Sequence, residues 1–285
     1  MRPSKEISQQ RFLVTGCASG IGRQLAHRLL ENGARVTATD LNESTLQDAA
    51  KAWPGGEARL QHLDVTDPVA WERVLDETLQ AWGGLDVVVN VAGYLKPGAI
   101  HEATASDVDR HFDVNVKGLA HGTRLVAARW ISKKSAGHII NIASMAALAP
   151  IPGLGLYSAS KYAVRAFSLA AAEELRPHGI AVTTICPDAV ATPMLDLQVD
   201  FPEAALTFTA PRVLTADDIV TLILGTVHKK KPLLVSMPRR RALLARFADL
   251  FPGTSRWIAP ALERRGRKRQ QALRDAQTLA ADAKR

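Results

Sequence analysis

A doubly wound α/β domain with a seven-stranded parallel sheet is the fold this sequence predicts, on three observations. Seven short apolar runs alternate with longer amphipathic stretches, the pattern of parallel strands covered by helices on both faces. A glycine loop, Thr15-Gly16-Cys17-Ala18-Ser19-Gly20-Ile21-Gly22, joins the first run to the first amphipathic stretch. Beyond residue 237 the pattern becomes helical and basic. The reading is therefore one domain over residues 1–237 and an amphipathic helical extension over 238–285.

The elements follow in order. Phe12–Thr15 is a strand because its apolar run stops at Gly16, and Ile21–Glu31 is the helix that the glycine loop opens. Arg35–Thr39, rich in β-branched residues, is the second strand and ends at Asp40. Leu60–Val65 is the third strand, and Val69–Ala81 is the helix that follows it. Asp86–Asn90 is the fourth strand, ended by Val91-Ala92-Gly93, and Ser106–Ile131 reads as one long helix. His138–Ser144, Val182–Cys186 and Leu233–Ser236 complete the strands, with helices at Tyr157–Leu175 and Asp217–Val227 between them. No segment repeats at a fixed period, which excludes a solenoid.

Composition narrows the class. A 285-residue chain that is 47% hydrophobic can bury one large core. The polar start, Met1 to Gln10, lacks the apolar core of a leader, and no run approaches the ~20 apolar residues of a membrane span. Cys17 and Cys186 are the only cysteines, poor material for a disulfide framework or a metal site. A cytoplasmic setting and no metal are expected. The formal charge of +8 is confined to the end: residues 238–285 hold 13 Lys and Arg against 4 Asp and Glu. The basicity thus concerns what the extension touches and says nothing of a substrate.

Chemistry gathers at strand ends, where open α/β sheets bind ligands. Gly16, Gly20 and Gly22 follow a strand and open a helix, so that backbone can approach a pyrophosphate and helix N–H groups face its charge. The spacing is G-x-x-x-G-x-G. Asp40, ending the second strand, is placed to accept hydrogen bonds from adenosine ribose hydroxyls and to repel a 2′-phosphate. NAD is therefore favoured over NADP. Asp64-Val65 and Asn90-Val91-Ala92-Gly93 end the next two strands; Asp64 can equally cap a turn, and Gly93 permit one. Tyr157 and Lys161 are four apart on one helix face, thirteen residues after Ser144. An ammonium beside a phenol favours the phenolate and makes tyrosine usable as an acid and base near neutrality.

In these residues, with Asn115 and Pro187-Asp188-Ala189-Val190-Ala191-Thr192, the chain resembles the short-chain dehydrogenase/reductase family over about residues 8–237. The resemblance implies a Rossmann-like domain, a nicotinamide cofactor, and a homodimer or homotetramer built on the two long central helices. It implies cofactor contacts from Gly16, Ser19, Gly20, Ile21, Gly22, Asp40, Asp64, Val65, Asn90, Ala92, Gly93, Tyr157, Lys161, Pro187, Val190 and Thr192. It also gives Lys161 the nicotinamide ribose and Asn115 a water linking Lys161 to solvent. Two positions depart from the family pattern. Val91 replaces a common second asparagine, leaving Asn90 as the side chain that reaches the cofactor. Asp188 replaces a glycine, which tolerates positive φ better.

The expected reaction is hydride transfer at a carbinol carbon, with Tyr157 moving the hydroxyl proton and Ser144 donating a hydrogen bond to the substrate oxygen. Pro193 to Pro211 corresponds to the family's mobile lid and carries Met194, Leu195, Leu197, Val199, Phe201, Leu206 and Phe208. Leu148, Ile151, Leu154 and Leu156 add apolar surface near the catalytic pair. A lipophilic alcohol or ketone, steroid-like, retinoid-like or long-chain, follows. In the extension, Leu243, Leu244, Phe247, Leu250 and Phe251 recur at helical spacing opposite Arg239, Arg240 and Arg246. This is either a helix packed on the domain or one lying on anionic lipid. The competing function is an NAD-binding sensor or scaffold docked through its basic tail. A nucleic-acid partner is not expected, since no recognition motif accompanies the tail.

Overall fold

The structure is a computed structural model and describes residues 7–282. Its seven strands are β1 (Arg11–Thr15), β2 (Arg35–Asp40), β3 (Ala58–His62), β4 (Val87–Asn90), β5 (Gly137–Ile142), β6 (Ile180–Pro187) and β7 (Leu234–Met237). They form one parallel sheet in the order β3-β2-β1-β4-β5-β6-β7. The order reverses between β1 and β4, and a crevice opens there at the strands' carboxyl ends. This is the predicted Rossmann-like, doubly wound sheet.

The helices are α1 (Gly20–Glu31), α2 (Glu43–Ala50), α3 (Pro68–Trp82), α4 (Ala105–Phe112), α5 (Leu119–Ser132), α6 (Gly155–Leu175), α7 (Pro193–Asp196), α8 (Ala216–Leu222), α9 (His228–Lys230), α10 (Arg239–Leu250) and α11 (Pro252–Asp282). On one face of the sheet, Leu25 and Leu29 of α1, Leu46 of α2 and Ile219 of α8 pack on Val14, Val36 and Ile185. On the other, Trp71 and Val74 of α3, Val126 and Trp130 of α5 and Ala172 of α6 pack on Leu13, Val88 and Ile139. Each fully buried Leu, Ile or Val among these contributes about 2 kcal/mol through removal of apolar surface from water. The buried indoles also find acceptors: Trp71 donates to the Val65 carbonyl at 3.0 Å and so holds a loop at the crevice.

Several boundaries differ from those the sequence suggests: the helix expected over Asp217–Val227 is α8 followed by a π-helical turn, Ile223–Val227, and β6 is longer at both ends than Val182–Cys186. β3 stops at His62, because the Asp64 carboxylate accepts the Thr66 N–H and hydroxyl and turns the chain. β5 stops at Ile142, and Ser144 instead caps a 3₁₀ turn, Met145–Ala147. The helix expected over Ser106–Ile131 is interrupted by a π-helical turn, Asp113–Gly118. α2 escaped the sequence reading: only Leu46 and Ala49 are buried in it, too few to display a period, and its start signal is the single Asn42 cap on the Thr45 N–H.

Candidate active site

The crevice is built around Thr15, at the end of β1. Its hydroxyl accepts the N–H groups of both Val91 at 3.0 Å and Ala92 at 3.1 Å, tying the loop after β4 to β1 across the reversal. Gly16 has φ of +73°, and a Cβ there would meet the Ala92 backbone at 3.0 Å. Gly22 lies so close to the Gly16 carbonyl that α1 can start against the loop only without a side chain there. The Ser19 side chain makes no capping bond, so it leaves the first-turn N–H groups of α1 uncapped toward the crevice. The Asp40 carboxylate accepts the Ala18 N–H at 2.9 Å and the Asn42 N–H at 3.0 Å, fixing it beside the glycine loop.

One cavity of about 1100 Å³ runs from this loop past β4 and β5 to the lid. Ser144, Tyr157 and Lys161 lie in its wall. α6 begins at Gly155, so Tyr157 and Lys161 occupy successive turns of its buried face. The Lys161 Nζ sits 5.6 Å from the centre of the Tyr157 ring and donates to the Ile142 carbonyl at 3.0 Å. Burial pushes the Tyr157 phenol up to about 12, opposed by a hydrogen bond with Ser144. Burial likewise brings the Lys161 ammonium down to about 8. The expectation that Lys161 depresses Tyr157 is not met in the chain alone: burial dominates at both groups, and Ser144 is what opposes it at the phenol. The phenol is therefore held protonated, and the lysine is the readier of the two to lose its proton.

The family model for short chain dehydrogenases matches residues 10–201, two thirds of the chain. The chain belongs to the short-chain dehydrogenases. At 33% identity over 256 residues it resembles the probable oxidoreductase EphD of Mycobacterium tuberculosis, covering 85% of this chain but only 43% of that protein, so the chain spans less than half of this relative's length. It is 35% identical over 210 residues to a cyclopentanol dehydrogenase of Comamonas sp., covering 73% of this chain and 84% of that protein. A short-chain dehydrogenase/reductase from Burkholderia phymatum, solved in complex with NAD, superposes with a TM-score of 0.79 at 25% identity, covering 88% of this chain and 97% of that one. The family's group is a nicotinamide dinucleotide. The crevice fits one: the glycine loop leaves a cradle that a Cβ at Gly16 would disturb, beside uncapped helix N–H groups and a fixed carboxylate. Among the described residues no cluster of His, Cys, Asp and Glu could hold a metal ion.

Most residues named from the sequence of this short-chain dehydrogenase converge on the cavity. Gly16, Ser19, Gly20, Ile21, Asp40, Asp64, Val65, Ala92, Gly93, Pro187, Val190 and Thr192 line it together with the catalytic candidates. Three do not. Gly22 acts through close packing. Asn90 is turned into the core, where its Nδ2 donates to Asn141 at 2.8 Å, and Asn141 in turn donates to Ser168 of α6; Val91, not Asn90, faces the cavity. The even apolar register of β4 sends residue 90 inward, which a motif match could not reveal. Asn115 donates to the Tyr94 carbonyl and to Ser160, and accepts the Tyr94 N–H at 2.7 Å. It thus pins the loop after β4 to α6, its Oδ1 lying with the Lys161 Nζ around Gly93. The π-helical turn is what aims it inward.

Asp188 needs no positive φ, since none of the non-glycine residues with positive φ is Asp188. Its carboxylate is instead buried and ion-paired with Arg241 of α10 at 2.5 Å. The extension therefore reaches the site, with Arg241, Leu244 and Phe247 lining the outer cavity. The lid comprises α7 and a 3₁₀ segment, Pro202–Thr209. Met194, Leu195 and Leu206 face the cavity, whereas Val199 and Phe208 pack within the lid and Leu197 is exposed. Of the apolar residues beside the catalytic pair, Ile151 and Leu154 line the cavity; Leu148 is in the core and Leu156 faces a smaller hollow.

Proposed function

We propose that this chain is an NAD(H)-dependent oxidoreductase that interconverts a secondary alcohol and a ketone on a lipophilic substrate, with Tyr157 as general acid and base. The observation that carries the reading is the convergence of Tyr157, Ser144 and Lys161 on one wall of a cavity whose other end is the glycine loop. A bound nicotinamide supplies the hydride acceptor or donor and, when oxidised, a positive charge. Gly16, Ser19, Gly20 and Ile21 would hold its pyrophosphate, Asp40 the adenosine ribose, and Lys161 the ribose next to the ring. The Asp40 charge disfavours a 2′-phosphate, which supports NAD over NADP.

The chain's own groups account for the proton. Buried and protonated, Tyr157 donates to a carbonyl oxygen in reduction; in oxidation it must first be a phenolate, to which Lys161 and Ser144 lend stability. Ser144 donates to the same substrate oxygen as charge grows there. Asn115 keeps the loop at Tyr94 against α6, so the acid and the crevice stay in one frame. Ile151, Leu154, Met194, Leu195 and Leu206 make the substrate end apolar, in keeping with a steroid-like, retinoid-like or long-chain substrate. The similarity to a cyclopentanol dehydrogenase supports an alcohol as the reduced partner. A homodimer or homotetramer is the assembly we propose. The exposed Leu243 and Leu250 of α10 and Phe251 just after it, beside Arg239 and Arg240, support peripheral contact of this segment with an anionic membrane.

The test is nicotinamide absorbance during turnover of hydrophobic alcohols and ketones, with NAD(H) and NADP(H) in parallel and Tyr157→Phe as control. Expected is turnover with NAD(H) that falls by ~10³-fold or more in the variant while NAD binding persists. Tight NAD binding without turnover across the panel would overturn the reading in favour of a sensor or scaffold.

A further inference from the structure

The extension holds two parts of the molecule: α10 packs on the body, with Ala242 in its core and Asp249 accepting from the Tyr162 hydroxyl, while α11 grips the lid. α11 runs along the 3₁₀ segment Pro202–Thr209, and at Gly266 the two backbones are so close that the space for a Cβ is taken by the Ala205 carbonyl. One helical turn later Gln270, itself only 4% exposed, donates from Nε2 to two lid carbonyls, Gln198 at 2.8 Å and Phe201 at 2.7 Å. Arg274 donates to the Val199 carbonyl at 3.0 Å, and Arg269 to that of Ala210. At the near end, Arg241 pairs with Asp188 and donates to Thr209 at 3.2 Å.

Four of these acceptors, at Gln198, Val199, Phe201 and Ala210, are backbone carbonyls of the lid. Those of Gln198 and Phe201 also accept a local N–H, from Phe201 and Ala204, so the extension adds second bonds that tie the lid's own turns to α11. A lid that swung away would surrender the set together, leaving the buried Gln270 amide without its acceptors. α10, through Leu244 and Phe247, and α11, through Ala259 and Leu262, line the outer end of the cavity.

We propose that the C-terminal extension is an intramolecular clamp that holds the lid closed, with Gln270 as its positioning residue. The clamp gives the site a fixed apolar ceiling between lid and α10, suited to an elongated apolar substrate rather than a compact one. The substrate half of this inference rests on the proposed function; the clamp itself does not.

The experiment is amide hydrogen exchange on the full chain without substrate, comparing the wild type with Gln270→Met, which keeps the volume and removes the donors, and with Gly266→Ala. Expected is protection of residues 197–209 in the wild type and ~10-fold or faster exchange there in both variants, with the glycine loop and β1 unchanged. With a long apolar alcohol, KM rises by a similar factor, kcat is held, and a short cyclic alcohol is little affected. Unprotected lid amides in the wild type, or unchanged lid exchange in folded Gln270→Met, overturn the clamp. Absence of turnover with the exchange pattern intact would overturn the proposed function and leave the clamp standing.

Discussion

Tyr157 and Lys161 occupy inverted positions on the proton scale, the phenol raised and the ammonium lowered by the same burial. The chain is consequently set as an acid, and as a base only when positive charge is added nearby. Ketone reduction is expected to hold through neutral pH and to decline in alkali, whereas alcohol oxidation climbs with pH by up to about tenfold per unit below the Tyr157 pKa. Because the Ser144 bond lowers that pKa, Ser144→Ala should move the oxidative rise to higher pH. Initial rates in both directions from pH 6 to 10 check this, and a flat oxidative profile would contradict it. At this scale the sequence was informative about identity and less so about orientation. Tyr157, Ser144, Lys161 and Asp40 stand in the cavity as their spacing suggests; Asn90 and Asn115 share the crevice's neighbourhood but point into packing, a matter of strand register and a π turn that local spacing does not encode.

β5 carries a separate consequence at the scale of elements. His138 is buried between β4 and β6, shares a hydrogen bond with Thr183 at 2.8 Å, and has its pKa brought down to about 3 by burial first, then by Lys231 and His228. An unfolded histidine titrates near ~6.5. Between those values the unfolded chain binds the extra proton, so stability is full above about pH 6.5 and falls as pH drops toward 3, by at most ~1.4 kcal/mol per unit from this group. Urea midpoints at pH 7, 5.5 and 4.5 should show that decline, and His138→Gln, which keeps a polar partner for Thr183, should flatten it. Strands and long helices were readable because their apolar periods are long; α2 was not, with two buried residues and one cap, and the clamp of α11 was not, because Gly266 and Gln270 look like solvated positions among arginines until the lid is set beside them.

For the whole molecule, the placement of charge separates two roles that composition merges. Arg241, Arg269 and Arg274 turn inward to the loop and lid, whereas Leu243 and Leu250 of α10 and Phe251 just after it are exposed beside Arg239 and Arg240. Sedimentation with phosphatidylserine vesicles, but not with neutral ones, is expected, with release at ~0.5 M salt as screening removes the electrostatic part. Equal recovery with both vesicle types would sink the membrane contact. No helix among the described residues is long and apolar enough to cross a bilayer. The seam at Thr15 has one more implication. Strands β3-β2-β1 and β4-β5-β6-β7 are two ribbons joined by a ladder of three paired positions, Phe12 with Val87, Leu13 with Val88 and Val14 with Val89. Among the described residues no other strand pair bridges the two ribbons, so this short ladder and the Thr15 hydroxyl, gripping two amides from the far side, hold their register between them. A slip there would leave the pairing within each ribbon whole and remove the place for a dinucleotide.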